Sequence, residues 1–145
     1  MIFHEFSRIS RTGFKINLTT IIMCAIISTG LRGSFMKEII WNAKARDFVR
    51  SLDEDTRREI GTLLMLIQYG NKLSEPQSKP LRNIHSSAHE LRVKDRKGAY
   101  RVIYVLNIGD KILIPHAFTK KTQKTPQKEI ELSIKRLREL INENK

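Results

Sequence analysis

HELRVKDRKGAYRVIYVLNIGDKILIPHAF, residues 89–118, holds three strand-like runs separated by two tight turns. His89–Lys94 alternates with period two, placing Glu90, Arg92 and Lys94 on one face and Leu91 and Val93 on the other. Asp95-Arg96-Lys97-Gly98 reads as a turn. Tyr100–Leu106 is apolar on both faces, as a central strand is. Asn107-Ile108-Gly109-Asp110 makes the next turn, and Lys111–Phe118 is the last strand. Within it His116 alternates with Ile112, Ile114 and Phe118, a pattern that also suits a partly buried histidine. Pro115 lacks an N–H, which predicts an edge or a bulge there. Turns this short join antiparallel neighbours.

Working outward, residues 37–41 (KEIIW) are a short strand. Asn42 can cap a helix with Ala45, Phe48, Val49 and Leu52 on one side. Ser51 or Asp53 starts a second helix, with Glu54 and Asp55 near its positive end and Ile60, Leu63, Leu64 and Ile67 as its stripe. Gly70 is a natural residue to follow its C-terminus. The near absence of a loop predicts a helical hairpin. Residues 71–80, with Pro76 and Pro80, read as a loop. Thr125-Pro126 reads as N-cap and first residue of a final helix. Its stripe is Ile130, Ile134, Leu137 and Ile141, with Lys128, Lys135, Arg136 and Arg138 outside. The predicted class is α+β, in the order β-α-α-β-β-β-α, with a small antiparallel sheet.

The chain has 145 residues, 40% hydrophobic and 29% charged, which suits a folded domain. One cysteine excludes an intramolecular disulfide and a cysteine-rich zinc site. The net charge of +12 points to a polyanionic partner. Of the 27 Lys and Arg and 15 Asp and Glu, residues 1–35 hold four and one, so +9 of the charge belongs to residues 36–145. Residues 18–28 (LTTIIMCAIIS) form an uncharged apolar run after Arg8, Arg11 and Lys15. The run imitates a secretory signal but is shorter than the roughly 20 residues of a spanning helix. Arg32-Gly33 can be encoded by a purine-rich stretch like a ribosome-binding site, close ahead of Met36. We therefore read Met36 as the start of the working domain, 36–145, and 1–35 as an extension from a mis-assigned start.

Basic residues fall in two groups. Arg92, Lys94 and Arg101 lie on strand faces with Glu90. Lys120, Lys121 and Lys124 lie in the run FTKKTQKTP, residues 118–126. If the first two strands pair, Arg92 and Arg101 lie side by side, and the surface can bind several phosphates. Tyr100, Tyr104 or His89 can then stack on a base. A cross-strand salt bridge is the competing account of Glu90 and Arg101, and edge-strand charge that of the lysine pair. His85 and His89 have metal-ligand spacing only on a helix, and this stretch is strand-like.

The combination HELRV (89–93), GAYRVIY (98–104) and HAFTKKTQKTP (116–126) resembles the RelE/HigB superfamily of toxins from type II toxin–antitoxin systems, in its phage-derived HigB-like branch. The resemblance covers about residues 37–142. It implies a RelE-like fold and a cytoplasmic, ribosome-dependent mRNA endoribonuclease that inhibits translation. Such an enzyme uses the RNA 2′-hydroxyl as nucleophile, with no metal, no small-molecule cofactor and no membrane. The implied partners are the ribosome, mRNA and a cognate helix-turn-helix antitoxin. Residue by residue, Arg101 and Lys121 are implied to stabilise the transition state and Arg92 to position mRNA. Lys94, Lys97, Lys120, Lys124, Tyr100 and Tyr104 are implied RNA contacts. Glu90 stands where the best-studied pattern has lysine, and Lys121 where it has arginine. That leaves the general base open among Glu90, His116 and a lysine with a lowered pKa. A ParE-like, non-catalytic gyrase inhibitor shares this fold, and a plain RNA-binding module is the third reading.

Overall fold

A computed structural model describes residues 36–145. The readings of 1–35, including the apolar run, lie outside the described residues. Five strands and three helices follow in the order β1 (Glu38–Trp41), α1 (Ala43–Arg50), α2 (Glu54–Gln68), β2 (Ser78–Pro80), β3 (Ala88–Lys94), β4 (Ala99–Ile108), β5 (Lys111–Lys120) and α3 (Gln127–Glu143). No helix among the described residues is long and apolar enough to cross a membrane.

Local chemistry accounts for most boundaries. The Asn42 side chain accepts from the backbone N–H groups of Lys44 and Ala45, which caps α1. Gly70, at φ +88°, ends α2: its N–H reaches Ile67 O and the Asn71 N–H reaches Leu66 O, a Schellman closure. Gly109, at φ +61°, makes the tight β4–β5 turn.

The fold class is α+β, and the sheet corrects two expectations. It is mixed, with strand order β1-β5-β4-β3-β2 and β1 parallel to β5. Two helices separate β1 from the other strands, so no tight turn forces it antiparallel. The other correction is β2, which lies in the segment read as a loop. It pairs three backbone positions with β3 and shows no apolar alternation. Pro80 is tolerated there because β2 is an edge strand.

Pro115 lies in an interior strand, at a bulge. Ile103 pairs with His116 but Val105 pairs with Leu113, so Ile114 and Pro115 together oppose Tyr104. The extra residue changes the strand's phase. Leu113, His116, Phe118 and Lys120 share one face, and the expected alternation of His116 with Ile112 and Ile114 is broken.

Each face has its own cover. Leu91, Val93, Tyr100, Val102 and Tyr104 project to the side of α1 and α2, where Phe48 meets Tyr100 at 6.5 Å between ring centroids. On the other face Ile103, Val105, Leu113 and Phe118 pack with Ile130, Leu137 and Leu140 of α3. The α3 stripe is rotated from the expected one: Ser133 and Leu140 are buried, while Ile134 and Ile141 flank the core. Helix α3 starts at Gln127 with Pro126 in the cap position and no side-chain cap, which corrects the Thr125 N-cap. The Thr125 hydroxyl is used elsewhere.

Candidate nucleic-acid interface

The α3 side of the sheet is apolar over one half and cationic over the other. Register builds the cationic half. Arg92 on β3 pairs with Arg101 on β4, and Lys120 on β5 pairs with Ala99. Lys94 pairs with the other side of Ala99, and Lys79 on β2 pairs with Glu90.

Glu90 organises the cluster and is only 1% exposed. Its Oε1 accepts from Arg92 Nε at 3.1 Å and Arg101 Nε at 3.2 Å, with Lys120 Nζ at 4.0 Å. Its Oε2 accepts from the Thr125 hydroxyl at 2.7 Å. Thr125 thereby ties the loop carrying Lys121 and Lys124 to the sheet. Burial pushes the Glu90 carboxyl up. The Thr125 and Arg92 hydrogen bonds and the charges of Lys120 and Arg101 outweigh it and hold the pKa below the ordinary carboxylate value. The cross-strand salt bridge between Glu90 and Arg101 is therefore present.

The cations exceed the carboxylate they share. Arg101 is 13% exposed, and its Nη1 also donates to the Tyr100 carbonyl. Lys120 is 10% exposed. Desolvation lowers its pKa; Glu90 opposes this, and the charges of Arg101, Arg92 and Lys79 add to the lowering. One carboxylate against Arg92, Arg101, Lys120, Lys94 and Lys79 leaves a large positive excess facing outward. Such a surface attracts phosphate.

Other residues singled out from the sequence stand elsewhere. Lys121 and Lys124 are exposed on the loop past β5. Lys97, in the β3–β4 turn, pairs with Asp53 at 3.0 Å. Tyr100 and Tyr104 lie on the opposite face and are buried. Tyr100 donates to Asp95, and Tyr104 shares a 2.6 Å hydrogen bond with Ser78. His89 stacks on Tyr104 on that same face, at 5.3 Å. His85 and His89 each use a ring nitrogen on the Ser87 backbone.

His116 is enclosed beside the cluster. Arg136 Nη1 donates to its Nδ1 at 2.7 Å, so Nδ1 is the acceptor and Nε2–H donates to Glu129. Burial lowers its pKa, Glu129 opposes this, and Arg136 adds to the lowering, all consistent with a neutral ring. Arg136 was expected on the outer face of α3 and instead reaches inward. The sequence reading also missed Lys79 and the Thr125 contact. Lys79 sits in a strand with no alternating pattern, and Thr125 carries a strong local capping signal that masks its long-range use.

A small α+β domain, compatible with the RelE-like fold, thus presents a cationic half of one sheet face beside an apolar half roofed by its last helix. The chain belongs to the family described as Phage derived protein Gp49-like (DUF891), whose model matches residues 47–138. It is a toxin-like family of type II toxin–antitoxin systems. The match includes every residue of the cationic cluster. No curated protein matches the chain.

Proposed function

We propose that this chain is the toxin of a type II toxin–antitoxin pair and acts as a ribosome-dependent mRNA endoribonuclease. The observation that carries the reading is the excess of cations held around one buried, fully occupied carboxylate. A structural ion pair needs charge balance. This cluster keeps a surplus for an anion that arrives from solution.

The chemistry follows from transfer within the RNA itself. The 2′-hydroxyl oxygen attacks the adjacent phosphorus, the bond from phosphorus to the 5′ oxygen breaks, and a 2′,3′-cyclic phosphate forms. The 2′ proton passes to a base and the departing 5′ oxygen takes one up. Arg101 and Arg92 are rigidly held by Glu90 and offset the charge gained by the phosphorane-like transition state. Lys120 supports the base role best, because burial first, and then the charges of Arg101, Arg92 and Lys79, favour the neutral amine against the opposing pull of Glu90. Glu90 is unsuited to it: both oxygens are engaged and its pKa is lowered. His116 has both ring nitrogens occupied. Lys121 moves from the transition state to the outer rim. The cognate helix-turn-helix antitoxin would cover this face with acidic residues.

The test is translation of a reporter message in a bacterial extract with the purified chain, with 5′ ends mapped by primer extension. New ends on translated message only, absent with Arg101→Ala, are expected. Intact message accompanied by trapped gyrase cleavage complexes would replace this reading with the gyrase one. Equal cutting of untranslated RNA would remove the ribosome from it.

A further inference from the structure

Lys79 is one of two cations of the cluster, Lys94 being the other, for which the cleavage chemistry has no use. It occupies the middle of β2 and pairs with Glu90, so its side chain leaves the sheet on the cationic face. Glu90 is its register partner but gives it no ion pair among the described residues. The carboxylate is already shared by Arg92, Arg101, Lys120 and Thr125. Lys79 is exposed, yet near enough to Lys120 for its charge to act there.

The strand that carries it is firmly placed. Ser78 is buried with its hydroxyl on Tyr104, and the Arg92 N–H donates to the Gln77 carbonyl at 2.8 Å. A three-residue edge strand is thus pinned on both sides of the sheet's last hydrogen-bonded row. Lys79, Arg92, Arg101 and Lys120 come from four neighbouring strands. Three strand spacings separate β2 from β5, about 14 Å of backbone. Arg92, Arg101 and Lys120 converge on Glu90, whereas Lys79 stands apart at the β2 end.

We propose that Lys79 binds a phosphate flanking the scissile one, so that the RNA backbone crosses the strands from β5 towards β2. The proposal rests on the reading of the cluster as the RNA-cleaving site. Lys79 then sets the polarity and reach of the bound strand and takes no part in bond breaking.

The test uses the full chain and two RNAs made uncleavable by 2′-O-methylation, a dinucleotide with one phosphate and an octanucleotide. Binding is measured across a salt series for the wild type, Lys79→Gln and Lys79→Arg. Lys79→Gln is expected to weaken the octanucleotide several-fold and to leave the dinucleotide unchanged. It should also flatten the slope of log K against log salt by about 0.7, the value of one single-strand phosphate contact. Lys79→Arg should restore the slope. An unchanged slope, or an equal loss on both RNAs, overturns the flanking role while leaving the site itself standing. If the wild type binds neither RNA, the reading of the site falls and this proposal with it.

Discussion

Two charged clusters lie side by side on the same face of the sheet, separated along β5 only by Ala117, Phe118 and Thr119. The His116 cluster joins one neutral ring to one carboxylate and one guanidinium, so its charges cancel, and α3 closes over it. The Glu90 cluster sets one carboxylate against several cations, three of them within 4.0 Å of it. Buried ion pairs are poor sources of stability unless they are balanced and fully hydrogen-bonded. The first cluster meets that condition and docks a helix. The second departs from it in one direction only, towards excess positive charge. On the proposed function, the contrast separates a structural use of charge from one that waits for a ligand.

The sharpest test of the contrast is loss of cutting. Arg101→Ala, which removes a transition-state donor, or Lys120→Ala, which removes the proposed base, should each reduce cleavage in the translation extract by about 100–1,000-fold. Glu129→Gln, in the balanced cluster, should leave cleavage near the wild-type rate. If Glu129→Gln lowers cleavage as far as Lys120→Ala does, the two clusters are one functional unit and the comparison breaks.

Next in size is stability. Glu90→Ala removes the shared counter-charge from three closely spaced cations. It should cost about 3–5 kcal/mol in urea unfolding, as breaking a buried pair does. Glu129→Gln keeps a hydrogen-bond acceptor for His116 and should cost about 1 kcal/mol. A smaller loss for Glu90→Ala than for Glu129→Gln would mean that the cationic cluster is solvated after all.

Much of this was legible before the structure. The period-two alternation of His89–Lys94 and the turn at Asp95–Gly98 fix the register that pairs Arg92 with Arg101. That pairing is the centre of the site. Legibility stops at the bulge. Counting by twos from Ile112 places His116 with Ile112 and Ile114, whereas the bulge puts it on the face of Leu113, and nothing local shows that shift. Lys120 rather than Lys121 enters the cluster because β5 reaches Lys120 in register with Ala99, a tertiary fact. β2 was illegible because its strand character comes from β3's free backbone edge and not from its own side chains.

Acid should resolve the clusters one after the other. His116 has a folded-state pKa below its ordinary 6.5, so the unfolded chain takes up the proton first. Stability is therefore full above pH 6.5 and declines as pH falls from there to the lowered folded value. Glu90 is lowered from 4.5, so its contribution is full above pH 4.5 and is lost as pH falls further through its folded pKa. Asp95, lowered from 3.8 chiefly by the Thr56 hydrogen bond, joins that second stage. Melting temperature followed against pH should fall in two stages. His116→Gln should remove only the upper one and Glu90→Gln should weaken only the lower. A single stage unaffected by His116→Gln would contradict the neutral, enclosed ring.

The smallest expected effect is the most discriminating about where the site ends. Lys121 follows Lys120 directly, but it is exposed and lies past the last residue of β5. Its charge meets an incoming strand through water and salt, where a single contact is worth about 0.2–1 kcal/mol. Lys121→Ala should therefore slow cleavage less than about fivefold, with a loss that shrinks as salt rises. Lys120→Ala should keep its large loss at every salt concentration, because that amine is buried among fixed charges. Measuring both variants at low and high salt checks this directly. A Lys121→Ala loss as large as that of Lys120→Ala and equally resistant to salt would require the loop to fold onto the sheet when RNA binds. The boundary between the enclosed cluster and its rim would then have to be redrawn around Thr125, whose hydroxyl already holds that loop to Glu90.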